Sequence, residues 1–333
     1  MDNESGKLQY VSVLRVFSML LIILYHSLCF YVGTWWYLHT DIVPLWKLIA
    51  PPVVKTGLTT FVFISGFLYG YMYIEKGKYR NVFSFLQNKF RRLLIPYFFW
   101  GIIMILTIPE VHISWINLFT GIAHLWFLLM LFELFVIIII LNKIGIDKDS
   151  SFMVDLIVVI VSFIPFYLWT EFSKHYHFLG FGSTFYYLPA FLVGLFYAKY
   201  GAMIDKVNYA KFFLFIGIAL LFALSFLGCL EESTLYRLPA ILISVSSMLL
   251  LKKGSDCSCV HLKYINSLDR NSMGIYIFNQ IVVFVLLLIP EMRYFLEIHL
   301  YFGVLLLFTV SLIIPWMLSY CFNSNKFTSI LIG

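Results

Sequence analysis

The sequence has little charge and no long polar segment. Only 12% of its 333 residues are charged and 62% are hydrophobic, whereas soluble domains carry about 25% charged residues. Between residues 8 and 321 apolar runs recur, without the roughly 50 polar-patterned residues that a small soluble domain needs. This composition excludes an ordinary soluble enzyme and is typical of a multi-pass membrane protein. We therefore expect residues 1–333 to form one membrane domain without an appended soluble domain.

Cysteine is also scarce, and its pattern excludes two kinds of site. Five cysteines in a chain of this length form no disulfide framework. Cys257-Ser-Cys259 lacks the further ligands that a zinc site requires, so we predict no metal. The first apolar segment has no small-residue cleavage site after it, which predicts a membrane span and not a removed signal.

Ten apolar segments come near the ~20 residues that cross a bilayer. They lie at residues 8–32, 53–74, 93–108, 122–141, 153–170, 183–198, 211–230, 235–251, 272–290 and 300–322. With the amino terminus inside, 17 of the 23 lysines and arginines fall in cytoplasmic segments and 5 in outer ones. This bias follows the positive-inside rule, so we predict an all-α polytopic membrane bundle with both termini cytoplasmic. The net charge of +6 then needs no nucleic-acid partner.

Two polar residues share one face of the first segment. Arg15 and His26 are eleven positions apart, which at about 100° per residue is three turns and roughly 20°. The same spacing separates them by ~16 Å along the helix axis. Each alone has an ordinary explanation, a snorkelling arginine or an interfacial histidine. Together they predict a functional stripe, in which neutral His26 is the natural general base.

Glu133 is the other clear charge inside a predicted span. Its depth in the fourth segment is comparable to that of Arg15, so the two side chains are candidates for an ion pair. A packing role and a catalytic role for Glu133 are equally open at this point.

Three further segments are candidates for binding. Ser65-Gly66 in mid-helix favours close helix packing, with a narrow acyl tunnel as the functional alternative. Lys89, Arg91 and Arg92 before Pro96 suit either anionic lipid or the phosphates of a nucleotide donor. The outer loop of residues 31–46 is rich in aromatics, typical of an interfacial belt. Its functional alternative is a sugar platform, for which the candidates are Trp35, Trp36 and Asp41.

Several of these motifs, in a fixed order, resemble the acyltransferase 3 family of bacterial membrane O-acyltransferases. The family carries Arg and His ten residues apart in its first helix, then an aromatic stretch ending in Ser-Gly, a basic pair before proline, Trp-Phe-Leu and Gly-Ile-Tyr. The matching residues here are Arg15 and His26, Phe61 to Gly66, Lys89 and Arg92 before Pro96, Trp126 to Leu128, and Gly274 to Tyr276. The match covers nearly the whole chain.

The chain departs from the family pattern at two positions. Lys89 stands where the family usually has arginine, which keeps the charge and loses the planar fork. Asn279 follows the Gly-Ile-Tyr motif where relatives commonly have histidine, and an amide cannot carry a proton.

The resemblance implies a multi-pass enzyme of the bacterial inner membrane. It would take an acyl group, usually acetyl, from acetyl-CoA at the cytoplasmic side. The acceptor would be a hydroxyl of a cell-surface or lipid-linked glycan at the outer side, and no cofactor would be permanently bound. It further implies that His26 is the base with Arg15 and Glu133 as catalytic companions. Lys89, Arg91, Arg92, Ser65 and Gly66 would then hold the donor. A transporter or flippase of lipid-linked glycans, and a degenerate structural subunit, are the alternatives, since buried polar residues also line transport paths.

Overall fold

All regular structure that we describe is helical. The structure is a computed structural model that describes residues 8–34, 40–79, 81–107, 115–146, 148–173, 181–229, 233–254 and 262–333, and no strand occurs in these ranges. The helices are α1 Gln9–Val32, α2 Pro44–Gly70, α3 Val82–Lys89, α4 Ile95–Thr107, α5 Asn117–Thr120, α6 Trp126–Lys143, α7 Phe152–Val161, α8 Ile164–Ser173, α9 Phe181–Ile204, α10 Ala210–Phe226, α11 Arg237–Gly254, α12 Leu262–Leu287, α13 Pro290–Ile298, α14 Leu300–Asn323 and α15 Lys326–Ser329.

The fold class predicted from the sequence is confirmed. Among the described residues, 8 helical segments are long and apolar enough to cross a membrane. They are Gln9–Val32, Pro44–Glu75, Asn117–Lys143, Phe152–Phe172, Phe181–Ile204, Thr234–Gly254, Lys263–Leu287 and Leu300–Asn323. The two remaining predicted spans correspond to shorter helices, α4 with 13 residues and α10 with 17. The chain is an all-α polytopic membrane protein.

Two helix starts differ from the sequence prediction. Helix α2 begins at Pro44, with Pro51 and Pro52 inside it, whereas the predicted span began after both prolines. Helix α12 begins at Leu262, ten residues before the predicted start at residue 272. The early start of α12 is a polar helical extension, which hydropathy misses because it detects lipid-compatible side chains and not helical backbone. Helix α2 starts early because Pro51 and Pro52, just before the start of the predicted span, are tolerated inside it.

The chain divides into two compact units. The first unit comprises Met1–Phe61 and Asn208–Lys326, and the second comprises Val62–Val207 and Phe327–Gly333. In the first unit α1 packs against α11, α12 and α14, and α10 packs against α11. Buried apolar residues of α1 and α12, including Val16, Met19, Ile23 and Ile275, form a core between these two helices.

In the second unit α9 packs against α6, α7 and α8. A close approach of α2 and α9 depends on glycine, because a β-carbon at Gly66 would clash with the carbonyl oxygen of Phe191, and one at Gly194 with that of Phe63. Small residues allow this kind of backbone contact between membrane helices.

A buried ion pair joins α7 and α9 in the second unit. Lys199 Nζ lies 2.7 Å from Asp155 Oδ2, and Ser150 and Tyr200 donate further hydrogen bonds to the same carboxylate. Because every oxygen of this buried group has a partner, the burial cost of the charge is offset.

Candidate functional site

Arg15 forms an ion pair inside the first unit, with Asp269. Arg15 Nη1 lies 2.8 Å from Asp269 Oδ1, and Ser12 Oγ donates a hydrogen bond to Asp269 Oδ2 at 2.8 Å. Both charged side chains are largely shielded, with exposed fractions of 24% and 16%. The ion-pair partner of Arg15 in the first unit is therefore Asp269 of α12, an acid that the sequence analysis did not single out. Asp269 was missed because the polar first turns of α12 lay outside the predicted ninth span.

His26 lies against Asn279, on the same two helices. The His26 side chain is 7% exposed and that of Asn279 is fully buried. Asn279 Nδ2 donates to the carbonyl oxygens of Ile275, at 3.1 Å, and Tyr276, at 2.7 Å. These two acceptors fix the amide nitrogen, so the amide oxygen Oδ1 is the atom directed at His26 Nδ1.

This arrangement selects one tautomer of the histidine. A carbonyl oxygen carries no hydrogen, so the bond between the two side chains requires His26 Nδ1 to donate to Asn279 Oδ1. The neutral imidazole then has its lone pair on Nε2. Asn279 is therefore suited to orient His26 as a general base, because the hydrogen bond holds the ring and specifies which nitrogen accepts a proton.

The two contacts confirm that Arg15 and His26 share a face of α1. Both side chains contact α12, Arg15 near the start of each helix and His26 farther along each. The helices therefore run parallel. The eleven residues on α1 and the ten on α12 each correspond to about 15–16 Å of rise. An ion pair and a histidine with a defined tautomer thus lie at two depths along one helix contact.

Glu133 belongs to the second unit and lies on α6. Its side chain is 7% exposed, and Thr184 Oγ1 of α9 donates a hydrogen bond to its Oε2. The other carboxyl oxygen, Oε1, is buried and has no hydrogen-bond partner among the residues the structure describes. A buried carboxyl oxygen without a donor is costly, which makes Oε1 a position where a ligand donor or a carboxyl proton would be stabilising. Thr184 had no distinguishing signal in the sequence.

The basic segment around Lys89 sits on a π-helical turn, Phe90–Leu94, between α3 and α4. Such turns insert an extra residue into a helix and redirect the side chains that follow. Lys89 Nζ lies 3.9 Å from the ring centroid of Phe135 and 5.4 Å from that of Phe85. Arg92 is exposed and its Nε donates to the carbonyl oxygen of Gly333 at 3.2 Å. The three cations therefore separate into one lysine turned toward aromatic rings and two exposed arginines, Arg91 and Arg92.

Lys89 lies outside the membrane-crossing helices, and its surroundings favour the neutral amine. Burial against the aromatic rings, and secondarily the positive charge of Arg92, lowers the pKa of Lys89 to about 7. Cation–π contact with Phe135 partly replaces the lost hydration of the charged form. An anion placed beside this amine would shift it back toward the protonated state.

The remaining predicted site residues are placed as follows. Gly66 forms the close contact with Phe191 described above, in agreement with a packing role for the Ser65-Gly66 pair. Asp41 is exposed at the start of the segment before α2. Trp35 and Trp36 lie outside the described residues.

The structure is a multi-pass helical protein in which a buried histidine and an ion pair lie on two parallel helices. The same histidine and arginine, His26 and Arg15, belong to the sequence motifs that resemble the acyltransferase 3 family. Residues 8–320 match the sequence model of the acyltransferase 3 family, described as an acyltransferase domain. The chain belongs to this family and is a membrane acyltransferase. Neither the curated proteins nor the solved structures contain a match to the chain.

Proposed function

We propose that this acyltransferase moves an acetyl group from cytoplasmic acetyl-CoA to a hydroxyl of a cell-surface or lipid-linked glycan, at the outer side of a bacterial cytoplasmic membrane. The observation that supports this most directly is the His26–Asn279 hydrogen bond, because it gives a buried imidazole the tautomer that a general base needs.

In the proposed reaction His26 Nε2 takes the proton of the acceptor hydroxyl as its oxygen attacks the thioester carbonyl. The carbon–sulfur bond breaks, CoA leaves as the thiolate, and the imidazolium returns the proton to that sulfur. The products are the acetyl ester and CoA thiol, so atoms and charges balance without a further reactant. Asn279 is a positioning residue here, since its amide contacts His26 and not the reacting atoms.

Arg15 has a different part in the proposal. The Asp269 carboxylate forms an ion pair with the Arg15 guanidinium and offsets its charge where α1 and α12 begin their contact. The remaining donors of this guanidinium are suited to hydrogen bonds with the carbonyl oxygens of the pantetheine arm. Asp269 keeps the guanidinium directed along the helix contact.

The residues proposed to bind the acetyl donor and the glycan acceptor are chosen by the chemistry of their side chains. Exposed Arg91 and Arg92, with Lys89 beside them, supply cations for the phosphates of the CoA nucleotide. Glu133 Oε1 accepts a hydrogen bond from bound substrate, and Ser65-Gly66 keeps α2 and α9 close. At the outer side Trp35, Trp36 and Asp41 bind the sugar, through stacking and hydrogen bonds to its hydroxyls.

The proposal is tested by following acetyl groups in cells. Surface glycans and lipid-linked intermediates from cells with the wild-type gene, without it, and with His26→Ala are compared by mass. We expect the gene deletion and His26→Ala to lack species heavier by one acetyl group, because losing a general base costs roughly 10²–10⁴ in rate. His299→Ala, a histidine at the end of α13, is the matched control and should keep the product. Normal acetylation in His26→Ala at equal protein level would contradict the assignment.

Direct transfer separates the enzyme from a glycan flippase. Purified protein in liposomes, supplied with radiolabelled acetyl-CoA and membrane lipid extract from the deletion strain, should label a lipid-linked product. A flippase would move the glycan lipid without acetyl-CoA and would leave the label on CoA.

A further inference from the structure

A polar cavity lies in the first unit, between the start of α12 and the end of α14. The positive-inside rule predicts that this end of the two helices faces the cytoplasm. The volume of the cavity is about 520 Å³, within the size range of small-ligand pockets. The residues that line it are Lys263, Asn266, Ser267, Arg270, Asn271, Tyr320, Asn323 and Ser324. All eight carry hydrogen-bonding side chains, and two are cations.

The lining follows directly from helix periodicity. The α12 members occupy positions 263, 266, 267, 270 and 271, the spacing of one helix face, and the α14 members occupy 320, 323 and 324. Asp269 lies about 100° from Arg270 around α12, and its two oxygens are taken by Arg15 and Ser12. The acid next to Arg270 in the chain therefore does not face the cavity.

The wall of the cavity is held by hydrogen bonds. Asn323 Nδ2 donates to Asn271 Oδ1 at 2.8 Å, and Asn271 Nδ2 donates to the carbonyl oxygen of Ser267 at 2.8 Å. Trp316 Nε1 donates to Ser267 Oγ at 3.2 Å. The bonds from Asn323 and Trp316 join α14 to α12, and the bond from Asn271 to Ser267 lies within α12. The amide and hydroxyl groups of the wall are therefore ordered before a ligand arrives.

The charge of the cavity is not balanced within the described part of the chain. None of its described lining residues is acidic, and neither Lys263 nor Arg270 has an ion-pair partner among the residues the structure describes. Two cations with amide and hydroxyl donors between them match the oxygens of a phosphate group, for which arginine offers a bidentate fork.

We propose that this cavity is a binding site for a phosphate group carried by a cytoplasmic ligand. The chemistry is shared by an anionic phospholipid headgroup at the inner leaflet and by the phosphates of a soluble nucleotide. The inference does not depend on the proposed acetyl transfer, because it concerns a different set of residues from those assigned to the donor above.

The test compares binding of defined phosphate compounds in nanodiscs. The pocket variant Lys263→Ala/Arg270→Ala removes both cations. The matched control Lys206→Ala/Lys211→Ala removes two exposed cytoplasmic lysines outside the cavity. In nanodiscs of phosphatidylcholine alone, phosphorus NMR line broadening reports binding of inorganic phosphate and of adenosine 3′,5′-bisphosphate. In nanodiscs that also contain phosphatidylglycerol, spin-labelled phosphatidylglycerol reports immobilised lipid.

We expect at least one probe to bind the wild type and the control variant equally, and to bind the pocket variant at least roughly tenfold more weakly, because charge-assisted hydrogen bonds are lost. Bisphosphate binding that is weakened in the pocket variant and that phosphatidylglycerol does not displace identifies a nucleotide ligand of the cavity, because binding at Lys89, Arg91 and Arg92 would be unchanged in that variant. Immobilised phosphatidylglycerol that displaces bisphosphate identifies a lipid ligand. Equal binding of every probe to wild type and pocket variant overturns the proposal, and the milder Arg270→Gln provides the same comparison if the double variant does not fold.

Discussion

Asn279 is the residue whose replacement tests the orientation of His26. Asn279→Leu keeps similar volume and removes the amide oxygen that accepts from His26 Nδ1. We expect kcat to fall roughly fivefold to tenfold, since a neutral hydrogen bond contributes about 1 kcal/mol, while KM for acetyl-CoA stays unchanged. Steady-state kinetics of acetyl transfer measure both quantities.

A second measurement separates positioning from a general loss of structure. Nitrogen NMR shifts of histidine-labelled protein distinguish Nδ1–H from Nε2–H imidazole, and His26→Ala assigns the signal. The wild type should show the Nδ1–H form and Asn279→Leu a mixture of both. Asn142→Leu removes an amide that donates to Tyr69 and should change neither kcat nor the histidine signal. An unchanged tautomer in Asn279→Leu would show that Asn279 does not orient the ring.

If Lys89 binds the donor as proposed, its surroundings predict a pH dependence of donor binding and the direction of that dependence. Its pKa of about 7 leaves the free amine mostly neutral at about pH 8, and a bound phosphate would raise that pKa. Binding of CoA at that pH should therefore take up protons, and affinity should fall as pH rises above about 7. Isothermal titration calorimetry in buffers of different ionisation heat measures the proton uptake.

Substitution of Lys89 isolates this contribution. Lys89→Arg stays charged throughout the range, so it should bind CoA without the extra proton uptake. Lys89→Met should bind more weakly at low pH, and Lys78→Met, an exposed lysine outside the motif, should behave as the wild type. Equal proton uptake by the wild type and Lys89→Arg would exclude Lys89 from the donor site.

At the scale of elements, the close contact of α2 with α9 determines which substitutions the Ser65-Gly66 motif tolerates. A β-carbon at Gly66 meets the Phe191 carbonyl oxygen, which is backbone and has little freedom to move. We expect Gly66→Ala to cost about 1–3 kcal/mol or more of stability, measured as a lower midpoint of thermal unfolding in detergent. Gly201→Ala on α9 adds a methyl group where nothing lies within 4 Å, so its midpoint should stay equal or rise. Equal midpoints for the two variants would mean that α2 and α9 do not pack this closely.

Helix α12 shows what the sequence could and could not predict about elements. Its apolar part was predicted from hydropathy, and the spacing of Arg15 and His26 correctly placed both on one face of α1. Hydropathy predicts a loop for the polar turns that carry Asp269, because a hydropathy window measures transfer to lipid and not pairing with a neighbouring helix. The partners of Arg15 and His26 lie some 250 residues away in the chain, and no local pattern encodes such a distant contact. The π-helical turn at Phe90–Leu94 likewise depends on packing.

At the scale of the whole molecule, the proposed reaction requires the donor and acceptor ends to face opposite sides of the membrane. The charge bias predicts that Lys78 faces the cytoplasm and Asp41 the outer side, and both side chains are exposed. In a variant with its 5 cysteines replaced by serine, Asp41→Cys should react with an impermeant maleimide added outside intact spheroplasts. Lys78→Cys should react only after the membrane is opened, and Ser324→Cys, near the end of α14, should behave like Lys78→Cys. Labelling of all three from the same side would contradict the predicted topology. It would also remove the basis for transfer across the membrane, because the basic segment would then face the same compartment as the outer loop.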